Sequence, residues 1–275
     1  MPGAKLNVGN VEIISLLDTP MEFDWKMFFP SNDLKDFDPY RDRYPDSYGE
    51  GKFRTNAHCY ALRSQGRTIL CDTGLGPGPI AWLGGIRGRL LHDMRDKGVQ
   101  PDDVDIVVFT HLHGDHVGWN LTSDRLPTFP KARYLVPQGD WDFFNRQASA
   151  NPQMQVVLPL KDLGVLELFS GEKALTSEIT TYPTPGHTPG HTSLMVSSGG
   201  ARALVAGDLA HHPAQVDRTE WCSGFDGDAR QAVETRRKVF DQLEADGLLA
   251  VFCHFPDPGF GKLIRLEGKR VFQTL

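Results

Sequence analysis

The chain has 275 residues, a net charge of −6, four cysteines and 40% hydrophobic residues. That length can bury a large core as one domain or as two fused halves, and the acidic balance argues against a nucleic-acid partner, which would favour a basic surface. No apolar stretch reaches transmembrane length, the first seven residues carry no apolar signal core, and the cysteines form neither a zinc-ribbon pattern nor a dense disulfide framework, so a cytoplasmic protein with no membrane partner is expected.

Residues 8–18 read as a strand or hairpin edge. Residues 20–52 differ. Pro, Asp, Tyr and Phe are dense there and no period is sustained, so an N-terminal excursion without regular structure is expected, of a kind that is often functional. It carries Met21, Phe23, Trp25, Met27, Phe28 and Phe29. These suit an apolar wall over a binding site, a contact in a homodimer, or ordinary packing onto the body. Residues 56–62 and 67–71 read as strands joined by the turn signal Ser64-Gln65-Gly66. Asp72-Thr73-Gly74 then opens a Gly/Pro-rich loop through Pro79. A helix is expected over 87–97, stopping at Gly98.

Pro101-Asp102-Asp103 starts the next unit and leads into an apolar run over 105–110 that reads as a buried strand. Residues 132–136 read as a short strand and 138–147 as a helix. Strands follow over 166–170 and 179–184. A hairpin is expected from 193–197 and 201–206 around Ser198-Gly199-Gly200. The clearest helix spans 228–245. Ala232, Val239, Phe240 and Leu243 lie near one face of it, and Gly247 ends it. A last apolar run covers 248–253. Strands and helices thus alternate in two comparable halves of an α/β chain.

Directly after the strand over 105–110 comes His111-Leu112-His113-Gly114-Asp115-His116. Open α/β sheets place their chemistry at such strand ends. Neutral imidazole and carboxylate suit zinc and its divalent neighbours. His111 and His113 are two apart, so in extended backbone they point the same way. Gly114 lets the chain turn before Asp115 and His116, so the cluster can face two adjacent ions. Further possible ligands follow: His187 in Thr184-Pro185-Gly186-His187, Asp208 after the apolar run ending at Gly207, and His254 after the run ending at Cys253. Each is preceded by a segment that can be a buried strand, so all can converge on one edge of a β-structure. Scattered surface or core histidines are the bland alternative, and the three later coincidences weigh against it.

Together with Asn56-Ala57-His58-Cys59-Tyr60 and Thr68-Ile69-Leu70-Cys71-Asp72-Thr73-Gly74, these pieces resemble the metallo-β-lactamase-fold hydrolases. The likeness runs from about Val11 to the end of the chain. It implies an αββα sandwich of two mixed sheets flanked by helices, formed as a single domain over 1–275. By position, His111, His113 and His187 look like ligands of a first metal, Asp115, His116 and His254 like ligands of a second, and Asp208 like a carboxylate shared by both. Zinc fits this donor set, with manganese, iron or cobalt also open. Two divalent ions outweigh Asp115, Asp208 and one hydroxide in charge, which favours substrates that become anionic in the transition state. A metal-bridging hydroxide would then be the nucleophile, with Asp115, Asp208 and His211 as the catalytic residues.

Asp72 resembles the aspartate that orients a ligand histidine in these enzymes. His191 reads as structural or orienting rather than as a ligand, and His58 and His92 as structural. Cys59, Cys71 and Cys253 read as buried thiols, with Cys253 pointing away from His254. His211 and His212 follow Asp208 closely enough to reach a substrate, and His211 is the favoured contact. In the N-acyl homoserine lactonases a tyrosine stands where His211 does. The surroundings of Asp208 and His254 look closer to the methyl parathion hydrolase branch. The expected function is therefore a dinuclear hydrolase of a small-molecule ester: a lactone, an aryl ester or a phosphotriester. The alternatives are a glyoxalase II-like thioesterase and a catalytically silent metal-binding protein.

Overall fold

The computed structural model of the protein describes residues 5–275; residues 1–4, part of the segment read as lacking a signal core, lie outside the described residues. Strands β1 (Lys5–Val8), β2 (Val11–Phe23), β3 (Phe53–Ser64), β4 (Arg67–Cys71), β5 (Ile106–Val108), β6 (Arg133–Pro137) and β7 (Leu166–Phe169) form one sheet in sequence order. A second sheet holds β8 (Ile179–Pro183), β9 (Thr192–Ser198), β10 (Ala201–Val205), β11 (Leu249–Val251), β12 (Phe260–Leu266) and β13 (Lys269–Thr274). Both sheets are mixed. In the first, β4 to β7 pair in parallel after an antiparallel start. In the second, only β10 and β11 are parallel. The helices are α1 (Trp25–Phe28), α2 (Leu90–Asp96), α3 (Gly114–Val117), α4 (Gln138–Asn145), α5 (Met154–Asp162) and α6 (Ala229–Ala245).

The strand pattern explains the layering. Along β5, Ile106 and Val108 face the other sheet, where they meet Leu194, Val205 and Val251. Val107 and the following Phe109 face outward onto Leu90 and Met94 of α2, Trp141 of α4 and Leu160 of α5. Strands buried on both faces carry continuous apolar runs, which is why this one is legible. On the far side, Val239, Phe240 and Leu243 of α6 pack on Leu204, Ala250 and Phe252 of the second sheet. The result is the expected αββα order. Asp228 caps α6 by accepting from the Gln231 amide, and Gly247, at φ +62°, follows its end. Among the described residues, no helix is long and apolar enough to cross a membrane.

Three expectations need correction. Strand β2 runs on to Phe23, so the excursion after it begins later than residue 20. A bulge between Leu17 and Thr19 resets the alternation and hides the strand's second half. The excursion is also not without regular structure: α1 and 3-10 turns at Leu34–Tyr40 and Pro45–Ser47 shape it. Its aromatic residues divide between two uses. Trp25 and Phe29 pack on Phe53 and Phe37, while Phe28 and Phe23 reach the pocket described below. Helix α2 begins at Leu90 rather than 87, because the amides of Gly88 and Arg89 bond to Gly76 and Asp18. Two further elements lack a clear sequence signal: α5, which contains Pro159, and the charged hairpin β12–β13.

The bulge residue Asp18 is buried and joins distant segments. Its Oδ2 accepts the Leu75 amide at 2.7 Å, and its Oδ1 accepts the Leu90 amide at 2.7 Å and the Trp119 indole at 2.9 Å. Both ends of the loop between β4 and α2 are thereby fastened to β2.

Phe240 is fully buried and joins α6 to Phe252, ring to ring at 6.0 Å. Phe240→Ala should therefore cost about 3–5 kcal/mol of stability, read as a lower urea midpoint. A loss below about 1 kcal/mol, typical of surface sites, would mean that this face of α6 is not seated as described.

Candidate metal centre

The candidate residues gather where β4, β5, β8, β10 and β11 end. Asp72 follows β4. Its Oδ1 accepts the Thr110 amide, and its Oδ2 accepts the Thr110 hydroxyl and His116 Nδ1, each at 2.8 Å. His111 follows Thr110, His113 precedes α3, and Asp115 and His116 lie on α3. His187 sits in the turn between β8 and β9, Asp208 just after β10, and His254 just after β11.

The hydrogen bonds fix how each imidazole faces. A carboxylate or carbonyl oxygen can only accept, so a ring nitrogen bonded to one must carry its proton. His116 Nδ1 bonds to Asp72, His187 Nδ1 to Asp226 at 2.9 Å, and His254 Nδ1 to the Asn56 carbonyl at 2.7 Å. Thr110 spends its single hydroxyl proton on Asp72, so His111 Nδ1 donates to that hydroxyl at 3.0 Å. Each of these four rings is thus left with Nε2 as the face turned inward. His113 is reversed: its Nδ1 lies 3.1 Å from His111 Nε2 and 2.9 Å from His187 Nε2.

Asp208 stands between the resulting clusters. One comprises His111, His113, His187 and Asp208; the other comprises His116, Asp208, Cys253 and His254. In each, one ligand-type atom per residue lies within 4.8 Å of the others. Asp208 Oδ2 is 3.2 Å from His187 Nε2 and 3.1 Å from His254 Nε2, and its Oδ1 is 3.2 Å from His116 Nε2. Asp115 borders the second cluster, 3.6 Å from His254 Nε2. Burial pushes the Asp208 carboxyl up in pKa, but His254, His116, His111 and His187 outweigh it and hold it well below the usual carboxylate range. Burial drives His113 down to about 3. Burial also disfavours a charged His187, but Asp208 and Asp226 prevail and raise it to about 9. His116 Nε2 and both nitrogens of His211 are buried without a hydrogen bond. Converging imidazole lone pairs, a shared carboxylate and orphaned ring nitrogens fit a pair of divalent cations.

The remaining histidines separate cleanly. His191 bonds the Thr184 carbonyl through Nδ1 and accepts the Asp208 amide through Nε2 at 3.0 Å, so it orients Asp208 and has no nitrogen left for a metal. Gly207 is required for that approach. Its φ is +56°, and a Cβ there would lie 2.8 Å from His191 Nε2. His58 bonds Cys253 and Asp257, and His92 pairs with exposed Asp96. His211 reaches the site, with Nε2 3.3 Å from Asp208 Oδ2. His212 does not. It accepts the Ala214 amide and is enclosed by Phe37, Phe53 and Tyr48, because the next residue along the chain turns to the opposite side.

Three residues absent from the sequence-based site take part. Asp140 on α4 accepts the amides of Leu112 and Gly190 and the Thr188 hydroxyl, joining the loop of His111 to that of His187. Asp226 holds His187. Cys253, read as pointing away, directs its thiol to Asp208 Oδ1 at 2.9 Å. Nothing in the local pattern of residues 140 or 226 distinguishes them from surface aspartates.

A cation entering this site must displace the proton that keeps His187 charged below about pH 9. Zinc affinity, measured by chelator competition, should therefore climb as pH rises from about 6 to about 9 and then level off. An affinity flat across that range would remove His187 from the ligand set.

The curated relatives include an N-acyl homoserine lactonase of Bacillus sp, 24% identical over 213 residues, covering 71% of this chain and 80% of that protein. Among solved structures, the dizinc quorum-quenching lactonase AidC in complex with a product superposes with a TM-score of 0.86 at 21% identity, covering 99% of this chain and 97% of the other. The hydrolase AbOPH of the beta lactamase superfamily gives the same TM-score at 25% identity, covering 100% and 98%. The family profile described as Metallo-beta-lactamase superfamily matches residues 53–254, a span that begins at β3 and closes on His254. The protein belongs to the metallo-beta-lactamase superfamily.

Proposed function

We propose that the protein is a dinuclear metal-dependent hydrolase of small neutral esters, with lactones as the leading substrate class. His111, His113 and His187 hold one ion, Asp115, His116 and His254 the other, and Asp208 serves both. The carrying observation is the meeting of His111 Nε2, His113 Nδ1 and His187 Nε2 at 2.9–3.1 Å, with the opposite nitrogens of His111 and His187 already committed as donors. When bound, the ion pair supplies Lewis acidity and lowers the proton affinity of water enough to give a nucleophile at neutral pH.

The pocket over the site supports a neutral, partly apolar substrate. Met21, Phe23, Phe28, Leu75, Trp82 and Phe225 line it beside His113, Asp115, His187, Asp208, His211 and His254. Two larger cavities, of about 470 and about 540 Å3, adjoin it on either side of Phe225. Among the described residues, no Lys or Arg lines any of the three. A thioesterase of the glyoxalase II type would need cationic groups for the carboxylates of glutathione, which this lining does not supply. The lactonase relative is a second support for the lactone class.

His211 acts on the substrate directly in this reading. Burial lowers its pKa, so it is a neutral imidazole at pH 7, and neither ring nitrogen is occupied by a hydrogen bond. Such a ring can donate one N–H to the carbonyl or leaving oxygen of a bound ester. Phe28, whose ring lies 5.4 Å from that of His211, keeps the ring's other side dry.

The deciding experiment is initial rates of the zinc- or manganese-loaded protein on a long-chain N-acyl homoserine lactone, an aryl phosphotriester and a glutathione thioester. Fastest turnover of the lactone is expected. A preference for the phosphotriester would replace the lactone reading, and metal binding with no hydrolysis of any of them would make the chain a silent metal binder. His113→Ala and Asp208→Ala should each reduce lactone turnover to background while keeping the far-UV circular dichroism; an active, metal-free Asp208→Ala protein would end the dinuclear proposal. His211→Ala should lower kcat by about 10²-fold, most with poor leaving groups. Unchanged rates on all substrates would take His211 out of the reaction.

A further inference from the structure

Asp226 lies in the loop before α6, outside the proposed ligands, and its side chain is wholly buried. Its two oxygens have separate tasks. Oδ2 accepts the Ser223 amide at 3.1 Å and the Arg236 guanidinium at 3.3 Å. Oδ1 is left to His187 Nδ1. Arg236, equally buried, spends its other donors on backbone: Nε on the Leu209 carbonyl at 2.8 Å, and one terminal nitrogen on the carbonyls of Thr219 and Trp221. Leu209 is the residue after Asp208. The amides of Gly227 and Asp228 also bond the carbonyls of His187 and Gly186, at 2.9 Å each. One buried ion pair therefore touches the supports of two proposed ligands that are 21 residues apart in the chain (208 − 187).

A buried ion pair is weak evidence of stabilisation, since desolvating both charges offsets much of their attraction. What marks this one is direction: the oxygen not used by Arg236 and Ser223 is aimed at the back of a ring whose front faces the metal site.

We propose that Asp226 is a positioning residue of the first ion's site: it keeps a proton on His187 Nδ1, so that Nε2 is the nitrogen given up to a cation, and Arg236 locks the carboxylate that does so. This inference rests on the reading of His187 as a ligand. Its sharpest consequence concerns the isosteric substitution. In Asp226→Asn the two donors at Oδ2 require an acceptor there, which forces the amide nitrogen into the Oδ1 place. An amide N–H then faces His187 Nδ1, so that nitrogen must accept and Nε2 must carry the proton, which is the tautomer that cannot bind a metal. Asp226→Ala removes the support but imposes no wrong tautomer. Metal affinity should fall about 100-fold in Asp226→Asn and only about 10-fold in Asp226→Ala, the range found when partners of metal-bound histidines are lost.

The test is zinc affinity by chelator competition on Asp226→Asn, Asp226→Ala and His187→Ala, with the visible spectrum of the cobalt-loaded forms as a readout of coordination and circular dichroism as a check of folding. The expected result is Asn worse than Ala, with both spectra altered. Asn milder than Ala, or either variant with native affinity and spectrum and only a lower Tm, overturns the positioning role and leaves a structural ion pair. If Asp226→Ala does not fold, native affinity or an unchanged spectrum in Asp226→Asn overturns the proposal by itself. Native affinity in His187→Ala would instead overturn the ligand assignment, so the two failures are told apart.

Discussion

The site depends on placing imidazole nitrogens face to face in a buried space. Such an arrangement is costly, because an inward nitrogen that carries no proton is a desolvated acceptor without a donor, and one that carries a proton must be balanced by Asp208. The chain maintains it by committing the outward nitrogen of four of the five rings. Asp72, Asp226, the Asn56 carbonyl and the Thr110 hydroxyl each take one Nδ1 proton. None of these four rings can then turn without breaking that hydrogen bond. Protonated rings and the Asp208 carboxylate hold one another in their charged forms, and those ring protons are what an entering cation would displace.

The two sheets supply the precision. Ligand-type residues follow the ends of β5, β10 and β11, strands that are apolar and buried on both faces. Close-packed strands of this kind have little freedom to shift, so side chains from residues 111, 208 and 254 arrive in fixed positions. The loops between are then joined laterally by buried aspartates. Asp140 connects the loops of His111 and His187, and Asp72 connects β4 to both Thr110 and α3. These carboxylates accept from three donors each, which suits a role of holding turns rather than reacting.

The legible part of this arrangement was what repeated a local rule. His111 to His116 form a compact cluster, and Asp208 and His254 each close an apolar run, so strand ends and ligand types could be read together. The α/β class followed from the alternation of such runs with helices, and the αββα order from the family resemblance. What stayed hidden depends on contacts across the chain. Asp226 is 39 residues from His187 and Asp140 is 28 from Leu112, and each lies among ordinary polar neighbours. Cys253 misled because β11 ends at Val251 and the chain leaves extended geometry before Cys253, so alternation no longer fixes where the thiol points. His212 differs from His211 only in the direction of one bond, and the aromatic residues that enclose it come from the excursion after β2, whose course has no period to follow.

Asp18 has a consequence for how this architecture can diversify. It fastens Leu75 at one end of a loop and Leu90 at the other, and Trp82 at the lip of the pocket lies between the two fastenings. The closure entropy of a loop whose ends are fixed grows only slowly with its length. The stretch between residues 76 and 88 can therefore be lengthened, shortened or exchanged as a cassette, changing what the pocket admits while the strand ends beneath it keep their places. In this protein the lip of the pocket and the side-chain cluster below it are separately fastened parts, joined by one carboxylate on a strand bulge.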